Sequence, residues 1–291
     1  MKKLYGTGVA LVTPFTDDEQ VDYKSLKKIL AHTATGVDYY VVMGTTGESA
    51  TLSKEEKKAI LQFVKDNNEK QLPIVYGIGG NNTREVLETI KDTDLKGVDA
   101  LLSVSPYYNK PSQEGIFRHF HAIADASSVP VILYNVPGRT SSNITAETTI
   151  RLAAHDNIIG TKEASGNLEQ CMRIARDTPE DFMLISGDDM LTVVLYSMGA
   201  KGVISVLANA YPAIFRQMKD LSFAGNFLGA TQEIYKLLDI NPLMYEESNP
   251  VGLKALMAKM GLCTRAVRLP LAPASAALEQ RISALAEKNK G

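Results

Sequence analysis

Eight short runs rich in Val, Ile and Leu divide this chain, beginning near Gly6, Asp38, Pro73, Val98, Pro130, Asn157, Phe182 and Gly202. They recur about every 28 residues, close to the unit of an eightfold α/β barrel of roughly 250 residues. The runs do not alternate polar with apolar residues, as expected when both faces of a parallel strand are buried. Longer amphipathic segments lie between them. Residues 53–69 put Ile60, Leu61 and Val64 on one face behind a capping box of Ser53 and Glu56. Asn82 and Glu85 repeat that logic before Val86, Leu87 and Ile90. GVDYYVV (36–42) and GVDALLS (97–103) are one barrel unit recurring, not a solenoid repeat. After residue 209 the pattern is helical, without a strand-like run. The expectation is an α/β fold: a (β/α)8 TIM barrel over 1–224, then a C-terminal helical extension over 225–291.

The chain has 291 residues, with 31 basic and 33 acidic side chains and a net charge of −2. No basic excess or stripe marks a nucleic-acid binder. Apolar residues make up 45%, enough to bury a core and exclude large-scale disorder. Nothing approaches the ~18 consecutive apolar residues of a membrane span. Met1-Lys2-Lys3 and the apolar stretch after it could open a signal peptide, but Pro14 and Asp17-Asp18-Glu19 follow without a cleavage pattern. Residues 6–12 read as a first strand instead. Cys171 and Cys263 stand far apart in no CxxC motif, which fits inert thiols in a reducing compartment and a cytoplasmic protein.

Barrel active sites lie where strands end at their C-terminal side, and unusual polar residues follow the runs here. Lys162 comes directly after Ile158-Ile159-Gly160-Thr161, whereas Lys54, Lys57 and Lys58 fall on polar helix faces. A lysine at the barrel mouth is partly desolvated, which frees a neutral amine to attack a ketone; the alternative is an ion pair with a carboxylate such as Glu163. Tyr134 holds the matching place on the adjacent run, as a proton carrier or as a plain rim tyrosine. Thr45 and Thr46 lie between Gly44 and Gly47, in either an anion-binding nest or a simple turn. Arg139, in a loop after Pro137-Gly138, suits bidentate capture of a carboxylate or a surface ion pair. Tyr107-Tyr108 reads as a subunit contact. Asp188-Asp189 invites a metal reading, but Asp188 is better placed to cap the helix that follows. His32, His119, His121 and His155 are the only histidines, and His119 and His121, two apart on one helix, diverge. No metal site is expected.

GTTGES (44–49), SPYYNKP (105–111), YNVPGRT (134–140), KEASGN (162–167) and SGDD (186–189) together resemble the 4-hydroxy-tetrahydrodipicolinate synthase family, within the pyruvate-dependent class I aldolases. The resemblance runs through essentially the whole chain. It implies that Lys162 forms a Schiff base with pyruvate, and that Thr45 and Thr46 hold the pyruvate carboxylate with help around Gly187 and Ile204. It implies that the derived enamine attacks L-aspartate 4-semialdehyde, whose carboxylate Arg139 binds. Tyr134 would move protons, linked through Thr46 to Tyr108, which in the family reaches in from a neighbouring subunit. No cofactor is implied, since the imine is itself the electron sink. The family is typically a homotetramer, a dimer of tight dimers, acting in lysine and diaminopimelate biosynthesis.

Many members are inhibited by lysine at positions that match Ser49, Ala50, Lys54, Lys57, Asn81, Glu85 and Tyr107 here. In sensitive relatives the two lysine positions often hold histidine. Two ammonium groups beside a cationic ligand repel it, although Glu85 could still grip the ligand's ammonium, so weak or no inhibition is expected. If instead both lysines lie on the solvent face of their helix, they do nothing. The runner-up activity is that of N-acetylneuraminate lyase or a 2-keto-3-deoxy sugar acid aldolase, against which Arg139 argues. A non-catalytic sensor of pyruvate-like ligands is a third reading, with no residue in its favour.

Overall fold

Eight parallel strands close into a barrel in sequence order. They are β1 Gly6–Ala10, β2 Tyr39–Val42, β3 Ile74–Gly77, β4 Ala100–Val104, β5 Val131–Asn135, β6 Ile158–Glu163, β7 Met183–Ser186 and β8 Gly202–Ser205. The computed structural model describes residues 2–288. Every expected run holds a strand, and β1, β2, β5, β6, β7 and β8 are buried along their whole length. The first strand stops at Ala10 rather than residue 12, because a side chain takes over its edge. Asn209 Nδ2 donates to the Ala10 carbonyl at 2.8 Å, and Asn209 Oδ1 accepts from Val12 N–H at 3.2 Å.

Packing divides the chain into two units. One takes the stretch up to Gly6 and Pro73–Ile204; the other takes Thr7–Leu72 and the chain from Ser205 onward. In the first unit the β5–β6 register shifts. Val131 faces Ile158 but Ile132 faces Gly160, so Ile159 is an extra residue and a β-bulge. Gly160 lies where a Cβ would stand 2.6 Å from the Met183 carbonyl of β7, so only glycine allows that approach. Beyond the bulge Tyr134 faces Lys162, and Asn135 faces Glu163. Burial pushes the Cys171 thiol up to about 12, with the Glu163 carboxylate adding to it, which makes it unreactive.

In the second unit the helix Lys54–Asp66 starts with both halves of the Ser53/Glu56 capping box. It ends before residue 69 because Asn67 turns back on it, through backbone N–H and Nδ2 to the Phe63 carbonyl. The helices after β8, among them Pro212–Phe223, Val251–Lys259 and Ala276–Lys288, belong to this unit. Gly36 seats the first of them, for a Cβ there would lie 2.1 Å from the Pro212 carbonyl. Lys219 Nζ closes the contact on Asp38 Oδ1 at 2.9 Å. No helix among the described residues is long and apolar enough to cross a membrane.

One expected cap is absent in the first unit. Asn82 precedes the helix Thr83–Lys91, but its amide donates to Glu85 Oε1 at 2.8 Å instead of accepting a helix N–H. The neighbouring helix Gln113–Ala126 buries His119, whose Nδ1 lies 2.8 Å from Thr83 Oγ1. Burial pushes this imidazole down to about 4. It is neutral in the fold and titrates near 6.5 when unfolded, so between those values the unfolded chain binds the extra proton. Its contribution is complete above pH ~6.5 and falls as the pH drops toward 4, by up to roughly 3 kcal/mol. Urea unfolding from pH 7 to 4 is expected to show this loss, and His119→Gln to flatten it.

Candidate active site

Lys162 and Tyr134 meet as cross-strand neighbours. Lys162 is only 5% exposed, and its Nζ lies 4.3 Å from the centroid of the Tyr134 ring. The adjacent residue on β6, Glu163, points to the opposite face, as strand alternation requires. Its oxygens accept from Asn135 Nδ2 (3.1 and 3.0 Å), Ser165 N–H (2.7 Å) and Gln170 Nε2 (2.9 Å). The ion pair with Glu163 that the sequence left open for Lys162 is therefore not formed. What remains is a buried amine against the face of a phenol ring.

Other candidates of this unit fall as follows. Arg139 lies on a helical turn, Pro137–Thr140, not in the open loop expected, and is exposed. Pro137 starts that turn because its fixed φ suits the first helical position. Gly187, expected near the pyruvate carboxylate, donates its N–H to the Glu163 carbonyl at 2.8 Å. Ile204 is a buried residue of β8. Tyr108 is 88% exposed, with a φ of 72°. Asn81 Nδ2 donates to the Tyr107 carbonyl at 3.1 Å, which ties two of the expected regulatory residues together; Glu85 is held by Asn82. Asp188 Oδ1 accepts from Met190 N–H (2.8 Å) and Leu191 N–H (3.3 Å), so it organises the turn entering the helix Thr192–Ser197.

The second unit holds the GTTGES segment. Thr45–Gly47 form a single 3-10 turn, followed by Glu48 in the left-handed region with a φ of 51°. Thr46 is buried, and its Oγ1 accepts from Asn249 Nδ2 at 3.0 Å. That bond leaves the Thr46 proton to be donated elsewhere. Thr45 is exposed. Thr13 Oγ1 donates to the Gly47 carbonyl at 2.7 Å. The strained Glu48 is anchored by Lys254, 0% exposed, whose Nζ lies 2.5 Å from Glu48 Oε1 and 2.8 Å from the Ala266 carbonyl. Arg268 N–H donates to Glu48 Oε2 at 3.1 Å. Burial pulls the Lys254 ammonium below its ordinary value, and Glu48 works against that. Asn249, Lys254 and Arg268, which hold this turn, were not legible in the sequence; the one signal was Lys254 flanked by apolar residues inside the helix VGLKALMAK, whose second lysine only ends it. Ser49 and Ala50 follow on a second 3-10 turn. Lys54 is exposed, while Lys57 is half-buried and pulled down by burial and then by Lys54. Of the two, only Lys54 is fully solvent-facing.

One described cluster has metal-ligand chemistry: His121, Asp125 and His155 in the first unit, with ligand atoms within 4.8 Å. Its hydrogen bonding argues against a cation. Asn157 N–H donates to His155 Nδ1 at 3.1 Å, which puts that ring's proton on Nε2, where it meets Asp125 Oδ1 at 3.0 Å. The atom a metal would need is already a donor. The trio ties the helix Gln113–Ala126 to the loop before β6.

Residues 3–289 match the Dihydrodipicolinate synthetase family, and the chain belongs to it. A 4-hydroxy-tetrahydrodipicolinate synthase of Cytophaga hutchinsonii is 54% identical over 283 residues, 97% of this chain and 95% of that protein. Two crystal structures superpose closely. A dihydrodipicolinate synthase of Acinetobacter baumannii complexed with pyruvate has a TM-score of 0.95 at 37% identity, covering 98% of this chain and 99% of that one. A Cyanidioschyzon merolae enzyme with lysine bound has a TM-score of 0.94 at 40% identity, covering 99% and 98%. The sugar acid aldolase reading gains no support from these relatives.

The Lys254–Glu48 pair makes a stability prediction. Lys254→Met leaves a buried carboxylate without its cation and is expected to cost about 3–5 kcal/mol. Adding Glu48→Gln is expected to recover part of that loss, because the uncompensated charge is then gone. Urea unfolding of both variants measures it.

Proposed function

We propose that this chain condenses pyruvate with L-aspartate 4-semialdehyde to give 4-hydroxy-tetrahydrodipicolinate. The observation that carries the reading is Lys162, buried on β6 with its Nζ 4.3 Å from the ring centre of Tyr134 on β5. The Lys162 amine adds to the ketone carbon of pyruvate and water leaves, forming an imine. Loss of a methyl proton gives the enamine, whose carbon attacks the semialdehyde's carbonyl. The semialdehyde's own amine then attacks the imine carbon, closes the ring and releases Lys162. Tyr134 accepts and returns protons in these steps.

The family pattern assigns the pyruvate carboxylate to Thr45 and Thr46. The exposed guanidinium of Arg139 suits the second carboxylate, that of the semialdehyde. The same family pattern places Gly187 and Ile204 around the pyruvate carboxylate. The exposed Tyr108 suits a contact from one copy of the chain into another, in a homotetramer built as a dimer of dimers. The chemistry needs no cofactor, and a biosynthetic role of this kind places the enzyme in the cytoplasm. One relative binds lysine. Here Lys54 and Lys57 place two cationic side chains at matching positions, so lysine inhibits weakly.

The deciding experiment compares pyruvate consumption with L-aspartate 4-semialdehyde and with N-acetylmannosamine, alongside borohydride trapping. Preference for the semialdehyde and a pyruvate adduct on Lys162, absent in Lys162→Ala, are expected. No semialdehyde activity with pyruvate still trapped would discard the substrate and keep the chemistry. Arg139→Ala is expected to lower kcat/KM for the semialdehyde by about 10- to 100-fold, the loss of a charge-assisted contact, with trapping intact. Lysine at millimolar concentration is expected to leave most activity, and Lys54→His with Lys57→His to raise sensitivity. Strong inhibition of the native enzyme below millimolar lysine would overturn the regulatory reading.

A further inference from the structure

All six residues of β6 are buried, and this removes the usual cue for strand register. A half-buried strand is held in place because a slip of one residue carries its apolar side chains into water. A strand buried on both faces loses little apolar burial by such a slip. For Ile158–Glu163 the slip has a chemical consequence, since it turns Lys162 outward and Glu163 inward. The β-bulge at Ile159 shows that the pairing upstream already departs from regular register. Something beyond the bulge must hold the residues that follow.

The polar pair at the strand ends does this. Asn135 and Glu163 are 0% and 2% exposed and face each other across the ladder. Asn135 Nδ2 donates to both Glu163 oxygens and to Asn143 Oδ1, the last at 2.8 Å. Asn135 Oδ1 accepts from Ile144 N–H at 2.9 Å, which fixes the orientation of the amide. Gln170 Nε2 donates to Glu163 Oε2, while Gln170 Oε1 accepts from Asn143 Nδ2 at 3.0 Å. Each of these contacts to Glu163 comes from a donor, so the site is shaped for a group that only accepts. A buried carboxylate adds little net stability over an apolar side chain of the same volume. What it adds is directional: the bonds exist in one register and are lost in any other.

We propose that Glu163, held by Asn135, is a positioning residue for the imine-forming reaction, setting the β5–β6 register that turns Lys162 onto the Tyr134 ring. It acts through Lys162 and does not touch the keto acid. The inference rests on the reading of Lys162 as the amine that bonds pyruvate.

Glu163→Gln tests it, because the amide keeps the shape but points a donor at donors. Circular dichroism and thermal unfolding establish that the variant folds. Its kcat is expected to fall by at least about tenfold at nearly unchanged KM for pyruvate, with borohydride trapping on Lys162 slowed in step, as misplacement of a reacting group implies. The swapped variant Glu163→Gln with Asn135→Asp again pairs an acceptor with a donor across the strands, and is expected to regain several-fold. A Glu163→Gln enzyme within about twofold of wild type in kcat and trapping overturns the proposal; so does a folded swap no better than the single change. Should Glu163→Gln not fold, Gln170→Ala decides, since it removes one donor and leaves the strand pair. A fall in kcat of about threefold at constant KM supports the proposal, and an unchanged kcat overturns it. Wild-type enzyme that traps no pyruvate would instead sink the functional reading itself.

Discussion

The pairing of β5 with β6 is the constraint on which the arrangement of Lys162 and Tyr134 depends. It brings a buried lysine and a tyrosine face to face, with the Lys162 Nζ 4.3 Å from the ring centroid. Hydrophobic burial provides the strands but is nearly indifferent to which residue of β6 faces inward, because both faces are covered. The decision passes to a few polar contacts. Asn135 and Glu163 make them on the outer face, one residue from Tyr134 and Lys162, and Gly160 permits the close approach of β7 to the bulged strand. Lys162 is thus free of the neighbouring carboxylate: Glu163 is engaged elsewhere.

The second unit solves a related problem by other means. The turn Thr45–Gly47 leads into a non-glycine residue in the left-handed region, a conformation that costs energy and persists only where the surroundings over-determine it. Those surroundings come from far along the chain. Lys254 grips Glu48 across 206 residues of sequence, Asn249 holds Thr46 across 203, and Arg268 spans back to Glu56 at 2.6 Å. The helices that follow the last strand therefore brace the turn that carries Thr45 and Thr46, near the start of the chain. The cost of burying Lys254 and Glu48 is offset by their pairing and by the bonds from Ala266 and Arg268.

Much of this was legible in advance, for identifiable reasons. Strand positions could be read because doubly buried strands leave uninterrupted apolar runs. Lys162 stood out because a lysine directly after such a run has no solvent face to occupy. What the sequence left open was the choice among several partners for one group. Glu163 was a plausible ion-pair partner by proximity in sequence, but strand alternation sends it to the other face. Asn82 has the right type for a cap, but Glu85 lies within reach of its amide.

The sequence by itself determined the barrel, the strand that carries Lys162, and the family to which the chain belongs, because burial periodicity and local motifs are properties of short stretches. Only the tertiary structure decided which hydrogen-bonding groups are spent and which are available. That choice depends on partners brought together from distant segments, as when Asn249 takes one side of the Thr46 hydroxyl and Asn157 sets the tautomer of His155. Polar groups have many possible partners in sequence and few in space, so their roles become definite only when the chain is folded.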